Sequence, residues 1–263
     1  MRTGAIPNPP PTGPAIVARH AALGYGGESV LKGLEFEVPA GRRVGVLGPN
    51  GGGKTTLFRA LLGEIHPLSG VLQANASVST VAQTDRSRLD YPVSALDVAL
   101  MGSLARLPWW KRPGRSERRQ AHLALEKVGL HEQAKAGFGD LSGGQRQRVL
   151  IARALVAEAD ILLMDEPFTG LDNQSATRLE SLIDELAASG RTVLIATHEV
   201  DQAARWDLVL CLNGTQISFG DPKVALSRPV LEATYGGHLV EIPGQPELDV
   251  LPGHGHHDEE PRS

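Results

Sequence analysis

The chain has 263 residues, enough for one large domain with a sizeable core. Its 26 Lys+Arg against 30 Asp+Glu give a net charge of -4, so it lacks the global electrostatic footprint of a protein that coats nucleic acid. The single cysteine, Cys211, excludes an intrachain disulfide and a cysteine-based zinc site, and no run approaches the roughly 18 apolar residues that span a bilayer, so any membrane role is peripheral. One excess stands out: 30 glycines, against roughly 18 from average usage.

Residues 1–14 hold Pro7, Pro9, Pro10, Pro11 and Pro14 and read as an extended, disordered lead. With one arginine and no apolar stretch, this segment does not read as a secretory signal. Globular patterning begins at Ile16. Val44–Leu47 is a short apolar strand candidate that runs into a glycine-rich turn, and Thr55–Leu62 reads as the helix that follows.

Residues 85–140 change character. They are polar, carry Pro92, Pro108 and Pro113, and look helical in two pieces, Ala95–Met101 and Ser116–Val128. We read an inserted helical subdomain over about 85–158, within a globular domain over 15–241. Its last helix opens at Ser142, a natural N-cap, and runs to about Ala157.

Ile161–Met164 and Val193–Ala196 are continuous apolar runs, as expected of strands buried on both faces. Between them Leu179, Leu182, Ile183 and Leu186 recur at helical spacing, with Asp172 as N-cap and Gly190 as the stop. Strand, helix, strand predicts an α/β fold with a parallel sheet. Leu208–Leu212 is a further strand candidate in which Cys211 serves as a small buried hydrophobe. The tail, 242–263, is Pro-, Gly- and His-rich, ends acidic, and reads as poorly ordered.

Three motifs carry chemistry. Gly48-Pro49-Asn50-Gly51-Gly52-Gly53-Lys54-Thr55 matches G-x-x-x-x-G-K-[ST], between a strand and a helix. Glycines let the backbone turn its N–H groups inward onto phosphates, and the helix N-terminus adds positive dipole at the same point. Lys54 would reach the β- and γ-phosphates, and Thr55 would ligate Mg²⁺. Second, Asp165 and Glu166 end an apolar strand. Asp165 is placed to hold Mg²⁺ through water, and Glu166 to take a proton from an attacking water. Third, Leu141-Ser142-Gly143-Gly144-Gln145 leaves the first N–H groups of its helix uncovered, a second anion-binding terminus.

In these residues the sequence resembles the ATP-binding subunit of ABC transporters over about residues 16–240. LSGGQ at 141–145 is similar to the family signature, GPNGGGKTT at 48–56, Thr56 included, to its Walker A loop, and ILLMDEP at 161–167 to Walker B. Gln83 stands where the Q-loop glutamine belongs, Gly170-Leu171-Asp172 resembles the D-loop, and His198 resembles the switch histidine. Tyr25 stands where a family aromatic stacks on adenine.

The resemblance implies a P-loop NTPase (RecA-like) core with a small antiparallel β region and the inserted helical subdomain. It implies head-to-tail pairing with a second ABC ATPase subunit, a homodimer on the simplest reading. Each ATP would lie between one chain's Walker A loop and the other's LSGGQ, where Ser142 and the Gly144 N–H contact the γ-phosphate. Gln83 would couple Mg²⁺ and water to the helical subdomain that grips an integral membrane permease. His198 would contact the γ-phosphate. The place implied is the cytoplasmic face of the membrane.

The stretch Tyr91–Gly102 and the run Glu166–Asp172 are similar to the manganese/zinc importer branch, with iron-chelate importers as near neighbours. That implies a divalent-metal cargo and an extracytoplasmic metal-binding protein acting through the permease. A soluble ABC ATPase acting on nucleic acid or ribosomes is the different-class reading. Such relatives usually fuse two cassettes or insert long coiled coils, whereas this chain has one cassette, no heptad run and an acidic balance, so we expect no nucleic-acid partner. A nucleotide-gated regulator with little hydrolysis is a third reading, and Glu166 argues against it.

Two features stay open at this level. His254, His256 and His257, with Asp258, Glu259 and Glu260, make either a solvated tail or a weak zinc site. Arg106, Lys111, Arg112, Arg115, Arg118 and Arg119 surround Trp109 and Trp110. They read either as a solvated face or as a contact with anionic headgroups or the permease rim.

Overall fold

The structure is a computed structural model that describes residues 13–81 and 92–236, and the backbone of 240–241 and 249–250. Two sheets organise it. The first is a three-stranded antiparallel sheet in the order β2-β1-β4, from β1 (Pro14–Tyr25), β2 (Glu28–Pro39) and β4 (Ser69–Ala74). β2 shows why it forms. Leu34, Phe36 and Val38 are buried while Glu35 and Glu37 between them are exposed, the period-two pattern of a sheet with one wet face. Pro14, assigned to the lead by sequence, instead opens β1 opposite Pro39, and its carbonyl accepts from Asn75 Nδ2 at 2.8 Å. Residues 1–12 lie outside the described residues.

The second sheet has six strands in the order β5-β6-β7-β3-β8-β9. They are β3 (Arg43–Leu47), β5 (Val78–Val81), β6 (Ile161–Asp165), β7 (Thr192–Thr197), β8 (Leu208–Leu212) and β9 (Gln216–Gly220). All neighbours are parallel except β8 and β9. The apolar runs explain themselves here. Ile161 and Leu163 enter one core cluster, with the antiparallel sheet and α1 (Lys54–Leu61). Leu162 and Met164 enter the other, with the helices on the opposite face. A strand with helices or sheet on both sides has no polar face to offer. Leu163 is fully buried, and truncating it to alanine would cost about 2–5 kcal/mol.

β6, α5 (Asn173–Ala188) and β7 form the expected βαβ unit. Asp172 caps α5, its Oδ1 accepting from the Ser175 N–H at 2.8 Å. Cys211 is fully buried in β8, and burial pushes its thiol up to about 11. Arg43, at the start of β3, ties the sheet to its surroundings. It donates to Asp207 at 2.9 Å and to Asp184 of α5 at 2.5 Å.

The helical insert contains α2 (Ala95–Met101), a 3₁₀ turn (Gly102–Ala105), α3 (Arg115–Lys127) and α4 (Gly143–Val156). Their starts are fixed locally. Ser94 and Asp97 form a reciprocal cap on α2, and the Glu117 carboxylate accepts from the Gly114 N–H at the start of α3. Small residues let the three helices close on one another: Ala95, Ala99, Ala121, Ala124, Ala152 and Ala154 are all buried in their shared core.

Candidate nucleotide site

The loop 48–53 joins β3 to α1, so its position is set by the most buried part of the sheet. Two of its glycines are required by geometry. Gly53, the N-cap of α1, has φ 103°, and a Cβ there would stand 2.4 Å from Leu31 Cγ. At Gly48 a Cβ would stand 2.2 Å from the Leu212 carbonyl oxygen. Any side chain would push the loop off β2 or β8. No side chain caps α1, so its first N–H groups face the loop's hollow without an internal partner.

Lys54 is buried, 7% exposed, and its Nζ donates to the Gly48 carbonyl at 2.6 Å and the Pro49 carbonyl at 3.1 Å. Burial lowers its pKa below the usual lysine range, opposed by the charges of Glu166 and Asp165. Those acids stand at the end of β6. Burial, then the charge of Glu166, raises the Asp165 carboxyl above the ordinary aspartate value, and Lys54 opposes the shift. Glu166 holds a left-handed backbone, φ 45°, with its N–H on the Ala196 carbonyl at 3.0 Å. That conformation is uncommon for a non-glycine residue, and such residues cluster at functional sites.

These groups line one open pocket of about 430 Å³. Pro49, Asn50, Gly51, Gly53, Lys54, Thr55 and Thr56 form one side, Asp165 and Glu166 another, and Tyr25 and Val30 an apolar end. Tyr25 is 41% exposed at the end of β1. The Arg59 guanidinium lies 5.4 Å from its ring centroid and donates to its hydroxyl at 3.3 Å. An aromatic end and a cationic, N–H-rich end are what a nucleoside phosphate needs.

Comparison with known proteins gives the family. The ABC transporter family model matches residues 31–169, more than half of the chain. The manganese transport system ATP-binding protein MntB of Bacillus subtilis is 38% identical over 84% of this chain and 92% of its own length. The zinc transport system ATP-binding protein TroB of Treponema pallidum is 35% identical over 86% of this chain and 88% of its own. The chain belongs to the ABC transporter family. A chain of an ABC transporter solved in an inward-facing conformation superposes with a TM-score of 0.77, at 32% identity, over 85% of this chain and 89% of that one.

As an ABC transporter ATPase domain, the chain has the expected α/β core, antiparallel region and helical insert. The remaining motifs divide. His198 follows β7, and its Nδ1 stands 3.5 Å from Glu166 Oε1. Both line a small pocket with Thr169 and Gln202, so Glu166 belongs to two cavities at once. The signature does not join them: none of residues 142–145 lines the pocket of Lys54 and Asp165. Ser142 instead caps α4, accepting from the Gln145 N–H at 3.2 Å while Gln145 Oε1 accepts from the Ser142 N–H at 2.8 Å. The start of α4 rests on the D-loop turn, where a Cβ on Gly144 would stand 3.4 Å from the Gly170 carbonyl oxygen. Gln83 and Tyr91 lie outside the described residues, as do the tail histidines.

Arg59 was not foreseen from sequence. It occupies the last turn of α1, where a cation is ordinarily explained by the helix dipole, and nothing in one dimension points it at Tyr25, 34 positions away. Val30 likewise carries no motif.

Proposed function

We propose that this ATPase domain hydrolyses MgATP in a pair of subunits, bound to a membrane permease, to drive import of a divalent metal ion. The observation that carries the site assignment is one pocket holding Lys54, Thr55, Asp165, Glu166 and Tyr25 together. Tyr25, steadied by Arg59, stacks on the base. The Gly48–Gly53 N–H groups and Lys54 hold the phosphates, the lysine exchanging its two carbonyl partners for phosphate oxygens.

The donors present fit a magnesium ion. Thr55 and Asp165 offer hard oxygen atoms on the pocket wall. Magnesium is usually held by one or two protein oxygens, the rest coming from phosphates and water. When bound, it neutralises charge on the β- and γ-phosphates. Gln83 is proposed to reach the same ion and water from the segment that leads into the helical insert.

Glu166 accepts the proton of the attacking water, and His198, beside it, holds the γ-phosphate geometry. Ser142, Gly143, Gly144 and Gln145 act on the nucleotide of the partner subunit. Their separation from this chain's own pocket supports that reading, and the phosphoryl charge explains the need for a second N–H-rich terminus. The metal cargo rests on the likeness to manganese and zinc transport subunits; the same likeness supports a position at the cytoplasmic membrane face, with an extracytoplasmic metal-binding protein acting through the permease.

Glu166→Gln is expected to reduce ATP turnover by about 10²-fold or more, while ATP still drives dimerisation in size-exclusion chromatography. Undiminished turnover would overturn the role of Glu166. Uptake of manganese, zinc and chelated iron in a strain lacking the chain identifies the cargo; unchanged uptake of all three would remove the metal reading.

A further inference from the structure

Burial of tryptophan is one of the largest gains a fold can make, and this chain leaves two adjacent ones in water. Trp109 and Trp110 are 92% and 71% exposed, whereas Trp206, the remaining tryptophan, is 8% exposed in the core. They occupy the segment between the 3₁₀ turn and α3. The segment is braced: the Lys111 N–H donates to the Pro108 carbonyl at 2.8 Å, and the two indoles meet edge to face at 5.8 Å. Leu104, 55% exposed, precedes them.

The surroundings are cationic. Arg106, Lys111, Arg112, Arg115, Arg118 and Arg119 are all exposed, and Glu117 is the only acid between residues 106 and 119. Its carboxylate accepts from the Gly114 N–H and interacts with the charge of Lys111. Arg106 pairs with Glu158, but among the described residues Arg112, Arg115 and Arg119 make no ion pair. This stands out in a chain whose overall charge is -4.

We infer that the loop around Trp109 and Trp110 is a bilayer-contact element that engages anionic phospholipid headgroups. A free anion would satisfy the arginines and leave the indoles wet. A purely apolar protein groove would cover the indoles and desolvate the cations without compensation. The interface of an anionic bilayer takes both, since indoles sit at headgroup depth and each nearby cation is attracted by the surface potential. Neither indole lines the nucleotide pocket, so this element stands apart from the ATPase site.

The test uses the full chain and vesicles without permease. Co-sedimentation is expected with phosphatidylglycerol-containing vesicles and not with phosphatidylcholine alone, weakening with salt. Tryptophan emission should be quenched by brominated acyl chains. The pairs Trp109→Ala/Trp110→Ala and Arg112→Glu/Arg115→Glu should each lower vesicle affinity by more than tenfold, with ATP turnover in solution unchanged, since all four residues are solvent-exposed. No binding to anionic vesicles would overturn the proposal. So would binding that both variants retain, or indoles that are shielded only when a permease is present. Because vesicle binding is read without nucleotide, its failure leaves the ATPase reading untouched.

Discussion

The domain has two glycine-rich helix starts, and they are built in opposite ways. At α1 the N-cap is Gly53, left-handed, without a side-chain cap, and pressed against Leu31. At α4 the N-cap is Ser142, extended, locked in a reciprocal box with Gln145. The first start leaves its N–H groups without a side-chain cap and depends on its neighbours for its shape. The second holds its shape through its own box, in which Ser142 takes the Gln145 N–H, and stands beside the turn at Gly170. The contrast teaches that glycine serves two purposes here: at α1 it permits a conformation that no other residue tolerates, and at α4 it clears space for something to approach.

Lys54→Ala should break the α1 side most completely. We expect ATP turnover to fall by about 10²-fold or more, with the loss seen in monomeric ATP binding by calorimetry. If Ser142→Ala weakened monomeric binding equally, the division between the two starts would be wrong.

Next in size are the glycines themselves. Gly53→Ala must accept both a left-handed backbone and contact with Leu31, at a cost on the order of 2–3 kcal/mol in urea unfolding. Gly143→Ala meets nothing within 4 Å and enters a helical position, so stability should hold or rise by about 0.5–1 kcal/mol. Equal destabilisation at both positions would erase the contrast.

Ser142→Ala should cost about 1 kcal/mol of stability through the lost cap. Ser142→Asp sharpens the point. Aspartate caps as well as serine, so stability should be kept, but its charge should repel a partner's γ-phosphate and abolish ATP-dependent dimerisation. Retained dimerisation would count against contact in trans.

The smallest expected change in stability concerns Asp165. Its folded pKa is raised chiefly by burial, so folding with the carboxylate ionised is penalised at neutral pH and not below the unfolded aspartate value of about 4. Asp165→Asn should therefore melt slightly higher than the parent near pH 7, with the gap closing as pH falls through the carboxylate range. Magnesium-dependent turnover should be lost at every pH. A gap that widened toward acid would reverse the sign of the burial argument.

Much of this was legible in one dimension. The loop 48–55, the strand ending in Asp165, the Ser142 and Asp172 caps and the βαβ unit are set by neighbours within a few residues, through backbone conformation, capping and strand periodicity. The reciprocal lock between Ser142 and Gln145 was not seen, although its spacing is a local signal. Pro14 departs from the sequence reading because a proline can stand as the first residue of a strand as readily as it can extend a lead.

What the sequence by itself determined, then, is the local character of each segment: which stretch turns on glycines between strand and helix, which strand must be buried on both faces, which helix begins where. Only the tertiary structure decided which segments meet. It brought Tyr25 and Arg59 together at one end of the pocket, put His198 beside Glu166, and stood the start of α4 against Gly170 rather than against Lys54. It also left Trp109 and Trp110 in water while Trp206 was buried. The physical reason is that such contacts depend on strand order and on the packing of whole elements. A residue's own identity carries no record of which distant surface will close over it.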